Sequence, residues 1–387
     1  MTNSRTAIIV GAGIAGLTAA LRLRQAGWES VVVERTPERR GGGFALVLHG
    51  LGYDTVERMG ILPDLQERHL DPFELRYVRA DGRQRFSVPR SAMHAILGSR
   101  NLTLLRGDIE EILYRAVRDM VDIRFGSTVT SVGQDASAVW AVLDDGSTVT
   151  ADLLIGADGV HSTVRRLAFG PEDEFRLDLN HVVTAFVLDH LPAGVEEGTT
   201  TTLTTTGRTV TVTSLGPERA AAFFVHRMTG PPSEQASEPW QAVAANFGDL
   251  GWVVPDLREQ LGDGSAVYFD SLNQILLDRW SSGRIVLLGD AAWCVTLFGG
   301  YGAALAIGGA DQLAAGLEHE DDLHATIDAW EARLRPIVES KQKLGRRNIA
   351  AHAPPTRVHL AARNLAMRFA TTTPVQNVLR RHFQHSG

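Results

Sequence analysis

Three glycines, Gly11, Gly13 and Gly16, stand in G-x-G-x-x-G register within "IIVGAGIAGLTAALRLRQAGWESVVVER". In that register the first glycine permits a tight turn, the second lets backbone approach a pyrophosphate, and the third lets helix and strand pack closely. Ala15 adds a small residue to the same turn. Free amides at the start of the following helix, with its dipole, favour negative charge there. Glu34 closes the second strand, where a carboxylate accepts hydrogen bonds from an adenosine ribose and repels a ribose phosphate. The plainer reading of Glu34 is a solvated strand end; the chemical reading is a resident FAD or NAD, not NADP.

These residues need elements to hold them. Thr6 to Val10 reads as a buried strand, Leu17 to Leu23 continues a helix, and Trp28 to Glu34 is a second strand, so the unit predicts neighbouring parallel strands. An irregular "RRGGGFALVLHGLG" follows, then a helix-like "YDTVERMGILPDL". Hairpins are expected about Asp81-Gly82 and Asp145-Gly146, an amphipathic helix over Arg106 to Val121, and a buried strand ending at Gly156. Alternating stretches between 176 and 275, such as "TTLTTTGRTVTVTSL", predict a mostly antiparallel sheet with one face open to a ligand. "RIVLLGD" returns to a buried strand, and the final 80 residues read as helices broken at "HAPPT" and "TTTPV".

The fold class expected is α/β: a Rossmann-like dinucleotide domain interleaved with a mostly antiparallel substrate sheet, closed by a helical segment. The dinucleotide domain is assigned residues 1–72, 101–175 and 276–335. The substrate domain takes the hairpin 73–100 and the sheet 176–275, and residues 336–387 form the terminal helices. No internal repeat is present.

Composition narrows the function. With 387 residues, 44% hydrophobic and 21% charged, the chain can bury a full core. No apolar run reaches the roughly 18 residues of a membrane helix, and no charged-then-apolar presequence opens the chain. The expectation is a cytoplasmic protein with no integral membrane segment. A net charge of −7 argues against a nucleic-acid partner. Residues 331–387 carry eleven Lys or Arg against Glu331 and Glu339, a surplus of nine, leaving the rest of the chain at −16. A basic terminal helix on an acidic body is the simple reading, and a membrane-surface helix is the alternative. A single cysteine, Cys294, excludes an internal disulfide and a cysteine metal cage; no metal is expected. The only lysines are Lys341 and Lys343.

Two further motifs decide which dinucleotide is bound. "LLIGADGVHSTVRR" and "GRIVLLGDAAWCVTLFGGYGAALAI" resemble the Asp-Gly and Gly-Asp signatures of single-component flavoprotein aromatic hydroxylases, the para-hydroxybenzoate hydroxylase family. The likeness runs over roughly residues 5 to 335. "GGGFALVLHGLGYDTVERMGIL" and "RGDIEEIL" are similar to segments of the tetracycline-inactivating flavin monooxygenases. The resemblance implies FAD, with Asp290 on its ribityl hydroxyls and the Gly299 to Ala303 turn, including Gly300 and Gly302, at the pyrimidine end of its ring. It also implies Arg106 on the flavin side, Arg35 on the adenosine end, Asp158 near the FAD and nicotinamide grooves, and Arg40 as a candidate for steering NADPH. A solvated charge is the simpler account of Arg40.

The chain departs from the pattern where the pocket borders the flavin. Trp293 replaces a histidine, Thr296 and Leu297 replace a proline pair, Val47 stands for an aspartate and Ala304 for an asparagine. Val47, His226, Trp293 and Phe298 are the substrate-pocket candidates, with core packing the alternative for Trp293. The activity implied is hydroxylation or epoxidation, through a flavin hydroperoxide, of a medium-to-large aromatic or polycyclic small molecule, with NADPH or NADH and dioxygen as co-substrates. A phenolic substrate would gain from a base. His49, His226 and Tyr268 are the candidates, against a structural role for His226. The rival readings are a flavin oxidoreductase or an FAD-holding cyclase without net oxygenation; a halogenase would need a pocket lysine and a W-x-W-x-I-P segment. A monomer or a homodimer fits equally well.

Overall fold

The computed structural model describes residues 4–39, 44–71, 73–216, 219–228, 238–262, 267–319 and 322–370. A six-stranded sheet runs in the order Ser281–Ser282, Ile285–Leu287, Leu153–Gly156, Thr6–Val10, Glu29–Glu34, Asp122–Phe125. Every neighbouring pair is parallel except the first. Its inner strands are valine, isoleucine and leucine runs buried on both faces, as a helix-covered parallel sheet requires. From Thr6–Val10 the chain crosses to Glu29–Glu34 on one side and pairs with Leu153–Gly156 on the other. That is the switch point outside whose strand ends ligands bind in open α/β sheets.

Helix Ile14–Gln25 follows the central strand and packs against helices Arg106–Val117 and Gly302–His319. Leu17, Ala20, Leu21 and Leu23 supply its buried face. A three-stranded antiparallel sheet, Thr148–Ala151, Val139–Leu143 and Val129–Gln134, flanks this body. A separate ladder pairs Ala45–His49 with Asn101–Leu105.

The second large sheet has seven strands in the order Val267–Ile275, Arg176–Leu188, Ala220–Arg227, Arg208–Ser214, Thr199–Thr205, Glu74–Val78, Gln84–Val88. Alternation divides its side chains between two faces. Phe224 meets Phe247 of helix Pro239–Phe247 on one face. Phe223 meets Phe44 and Phe298 on the other, which looks toward the six-stranded body. Helix Leu323–His352 joins the two bodies, capped by Asp322, which accepts from the amides of His324 and Ala325 at 3.0 Å. Gln274 donates to the carbonyls of Val295 and Gln342, and Gln342 donates back to Ile275 and Trp293, so buried amides stitch sheet, loop and helix together.

The mixed α/β class, the interleaved sheets and the mostly antiparallel substrate sheet agree with the sequence reading; two details differ. The segment read as irregular contains the strand Ala45–His49, whose partner lies more than 50 residues onward. The helix from Arg106 ends at Val117, not Val121. Within the substrate sheet one neighbouring pair is parallel, Thr199–Thr205 with Glu74–Val78. The expected break at "HAPPT" separates helices Leu323–His352 and Arg357–Ala370, whereas "TTTPV" falls outside the described residues. No described helix is long and apolar enough to cross a membrane.

Candidate functional site

The three motifs meet at the strand ends. Gly11 has φ +105°, and a Cβ there would lie 2.5 Å from the carbonyl oxygen of Ala157 and 2.9 Å from the Cα of Asp158. A Cβ on Gly16 would fall 1.9 Å from the Gly11 carbonyl oxygen. Gly289, with φ +64°, leaves room for Ala15, whose Cβ would be 2.8 Å from any added at 289. The glycine turn therefore touches the Asp-Gly motif through Gly11 and the Gly-Asp motif through Ala15. Arg165, fully buried, fastens those two motifs to each other: Nη1 donates to the Ala291 carbonyl at 2.9 Å and Nη2 to the Val160 carbonyl at 2.6 Å.

A cleft of about 230 Å³ opens above this junction, lined by Gly11, Gly13, Glu34, Arg35, Arg106 and Asp158 among others. The Glu34 carboxylate accepts from the amide of Ala12 and from the amide and hydroxyl of Thr36, each at 2.9 Å. It thereby ties the second strand to the glycine turn. Asp158 accepts from Ser162 Oγ at 2.5 Å and from the amides of Thr163 and Val164 at 2.7 and 3.1 Å. Its carboxylate takes up the first two amides of the helix Thr163–Ala168, whose N-cap Ser162 accepts from the Arg165 amide, and burial pushes its pKa up despite those bonds. Arg106 pairs with Glu110 one helical turn on, Nη2 to Oε1 at 2.7 Å.

Asp290 starts the short helix Asp290–Trp293. Protein surrounds it, yet its own surface is open to solvent, which places the carboxyl on the floor of a crevice and not on the outer surface. The enclosure pushes its pKa up, and the positive charge of Arg106 opposes that shift. Beyond it, Gly300 adopts the left-handed region at φ +68°, and a Cβ on either Gly300 or Gly302 would meet nothing within 4 Å. Ala303 is half-buried in the first turn of helix Gly302–His319. Thr296 also takes a positive φ, 70°, costly for a β-branched residue. The narrow space beside Gly345 accommodates it, where an added Cβ would lie 2.7 Å from Thr296 Cγ2. Glycine cradle, acid at the strand end, and crevice acid with open space at a second helix start together fit an extended dinucleotide.

An aromatic cluster lies nearby, with Tyr268 close enough for the Asp290 charge to act on its phenol. Phe44 contacts Tyr268 and Phe223 edge-on, with centroids 5.5 and 6.3 Å apart, and Phe223 reaches Phe298 at 6.4 Å. The Phe44 carbonyl accepts from the Arg106 amide at 3.1 Å. Burial, and then the negative charge of Asp270, push the Tyr268 phenol well above its usual pKa. His49 stands edge-on to Tyr301 at 4.5 Å, with its pKa lowered by burial and then by Lys341. Lys341, which its late position in the sequence had set apart, folds back so that Nζ lies 3.6 Å over the Tyr301 ring. Val47 lines a second, mainly apolar cleft of about 480 Å³ with Tyr53, His69, Phe73 and Met93.

Two pocket candidates are corrected. His226 shares its face of the sheet with Phe224 and packs edge-on against Phe247 at 5.7 Å, away from Phe223 and Phe298. Burial lowers its pKa to about 4. It is a structural histidine, turned inward by strand alternation. Trp293 is fully buried in a cluster with Trp280 and Trp330, at 4.6 and 5.9 Å, and so belongs to the core. Arg40 lies outside the described residues.

Sequence reasoning passed over Arg165, Glu110 and His161. His161 bridges Glu172 at 3.0 Å and Asp270 at 3.5 Å, and its pKa is raised by Asp270 first. The arginine pair Arg165-Arg166 in the short helix directly after the Asp-Gly motif was the one available signal, and it does not say which of the two turns inward. Glu110 gave none, because "RGDIEEIL" reads as an ordinary amphipathic turn.

Residues 4–339 match the family described as "FAD binding domain". A flavin-dependent monooxygenase from an unidentified prokaryote is 29% identical over 358 residues, covering 89% of each chain. Among solved structures, the tetracycline destructase Tet(51) superposes with a TM-score of 0.82 at 27% identity, covering 98% of both chains. Klebsiella pneumoniae HpxO, complexed with FAD and uric acid, gives 0.82 at 25% identity, covering 99% of this chain and 97% of its own.

Proposed function

Because this chain belongs to the FAD binding domain family and has flavin-dependent monooxygenases as relatives, we propose that it uses NADPH or NADH and dioxygen to hydroxylate or epoxidise a medium-to-large aromatic or polycyclic small molecule. The observation that carries this reading is the junction of three motifs at one switch point, with Asp290 in a crevice near an aromatic cluster.

In this proposal Gly11, Gly13, Ala15 and Gly16 form the diphosphate cradle, and Glu34 and Arg35 hold the adenosine end. Asp290 holds the flavin side together with Arg106, which stands between the glycine turn and Asp290 and so also reaches the diphosphate; Asp158 keeps the adjoining loop in place, and Gly300, Gly302 and Ala303 offer a helix start to the ring's pyrimidine end. FAD bound there supplies hydride acceptance from the nicotinamide and activation of dioxygen. The chain supplies position, dryness and charge. Residues 1–72, 101–175 and 276–335 act as the cofactor domain, residues 73–100 and 176–275 as the substrate roof, and residues 336–387 as the closing segment.

Phe44, Phe223 and Phe298 form an apolar wall suited to a ring compound, and a structural relative that holds uric acid supports a ring substrate. With its pKa raised, the Tyr268 phenol serves as a hydrogen-bond donor, not as a base. His49 stays neutral near pH 7 and is the remaining base candidate. The protein works in the cytoplasm as a monomer or homodimer.

The test is to purify the protein, record its visible spectrum, and screen ring compounds for those that accelerate NAD(P)H oxidation with matching oxygen consumption. Product carrying one added oxygen is expected. A colourless protein that takes up no FAD overturns the reading, and ligand-stimulated turnover without oxygen uptake turns it toward a dehydrogenase.

A further inference from the structure

Glu110 sits where the proposed cofactor's negative charge must go. It lies on helix Arg106–Val117, is 9% exposed, and holds Arg106 through both carboxylate oxygens, at 2.7 and 3.4 Å. A Cβ on Gly13, the glycine of closest phosphate approach, would lie 3.6 Å from Glu110 Oε1 and 4.0 Å from Arg106 Nη2. The ion pair thus stands directly against the glycine turn, beside the amide of Ile14, the first residue of the dinucleotide helix. Glu34 adds a second carboxylate from the neighbouring strand.

Resting on the FAD reading, we propose that Glu110 is an internal counter-ion that occupies Arg106 and the helix start, and that FAD binds by displacing this carboxylate's charge with its diphosphate, so that uptake is coupled to one proton. An ionised carboxylate beside a diphosphate costs Coulomb energy that a neutral carboxyl does not. The groups facing Glu110 are Arg106 from its own helix, Glu34 from the end of the second strand, Arg39 from the loop that follows it, and the Ile14 amide from the dinucleotide helix. Arg39 is engaged with Glu111 and lies over Tyr114 at 4.6 Å, and Arg68 pairs with Asp108, which leaves Arg106 as the cation committed to Glu110. Burial already favours the protonated form. Since the ligand-bound state holds the proton more tightly than the empty one, affinity for FAD falls as pH rises.

The experiment is equilibrium titration of apoprotein with FAD, and separately with ADP, followed by fluorescence between about pH 5.5 and about pH 8.5. Wild-type Kd should rise with pH, by at most about tenfold per pH unit, for both ligands. Glu110→Gln, which preserves shape and a hydrogen-bonding end, should flatten that dependence and bind about tenfold more tightly at the alkaline end. Glu110→Ala should flatten it too, and adenosine, lacking the diphosphate, should show no such slope with wild type. Parallel pH profiles for wild type and both variants overturn the proposal, as does weaker FAD binding by folded Glu110→Gln. Failure of all three proteins to bind FAD is a different result: it sinks the cofactor assignment, and this inference falls with it.

Discussion

Arg165 Nη1 and the carbonyl oxygen of Ala291 are 2.9 Å apart, a bond that spans 126 residues of sequence and locks the Asp-Gly motif onto the Gly-Asp motif. The same guanidinium holds the Val160 carbonyl and reaches Glu172 at 3.3 Å. Burial lowers the arginine's pKa, with Glu172 opposing the shift, and the group remains a cation.

Arg165→Met strands two carbonyls and a partly buried carboxylate. Removing one partner of such a pair costs about 3 kcal/mol, so urea unfolding should show a loss of that order, accompanied by weaker FAD binding. A variant as stable as wild type would mean that the two motifs are held together by something else.

Glycine positions separate packing from ligand space. Gly16→Ala places a Cβ 1.9 Å from the Gly11 carbonyl oxygen and should abolish the folded, flavin-binding protein. Gly302→Ala meets no protein atom within 4 Å. Its unfolding free energy should change by less than about 1 kcal/mol, while affinity for FAD drops about tenfold or more. Unchanged affinity for Gly302→Ala would remove this helix start from the cofactor site.

Asp290→Ala tests the crevice. A hydrogen bond to a charged group contributes roughly 1.5–3 kcal/mol, so the variant should fold normally and bind FAD about ten to a hundred times more weakly. Isothermal titration of apoprotein reads this directly; an unaltered Kd would deny Asp290 any contact with the ribityl chain.

His226 predicts an acid sensitivity. Its folded pKa is about 4 against the usual 6.5, so between those values the unfolded chain takes up a proton that the folded chain refuses. Stability is therefore full above the upper value and falls as pH drops toward the lower one, by up to about 3 kcal/mol. His226→Phe should lose less stability than wild type between about pH 7 and about pH 4.5 in urea titrations, and should still turn over substrate, since residue 226 faces away from the aromatic cluster near Asp290. Equal acid losses in the two proteins would point to His49 or His181, whose pKa values are also lowered by burial.

The sequence by itself determined the family's cofactor, FAD, and the glycine turn between the first strand and its helix. Backbone needs such as a positive φ at Gly11, close approach at Gly13 and Gly16, and an acid at the end of a strand are local, so residue type at fixed spacing reveals them. Buried strands and long helices were legible for the same reason, because their periodicities repeat within a few residues. What only the tertiary structure decided was which side chains meet across long separations. The face of His226, the core burial of Trp293, the return of Lys341 to Tyr301, the pairing of Ala45–His49 with Asn101–Leu105, and Glu110 against Gly13 all depend on ladder register and helix packing between distant segments. A one-residue change in register turns a side chain to the opposite face of a sheet, and no local pattern in one strand records the register it will adopt with another.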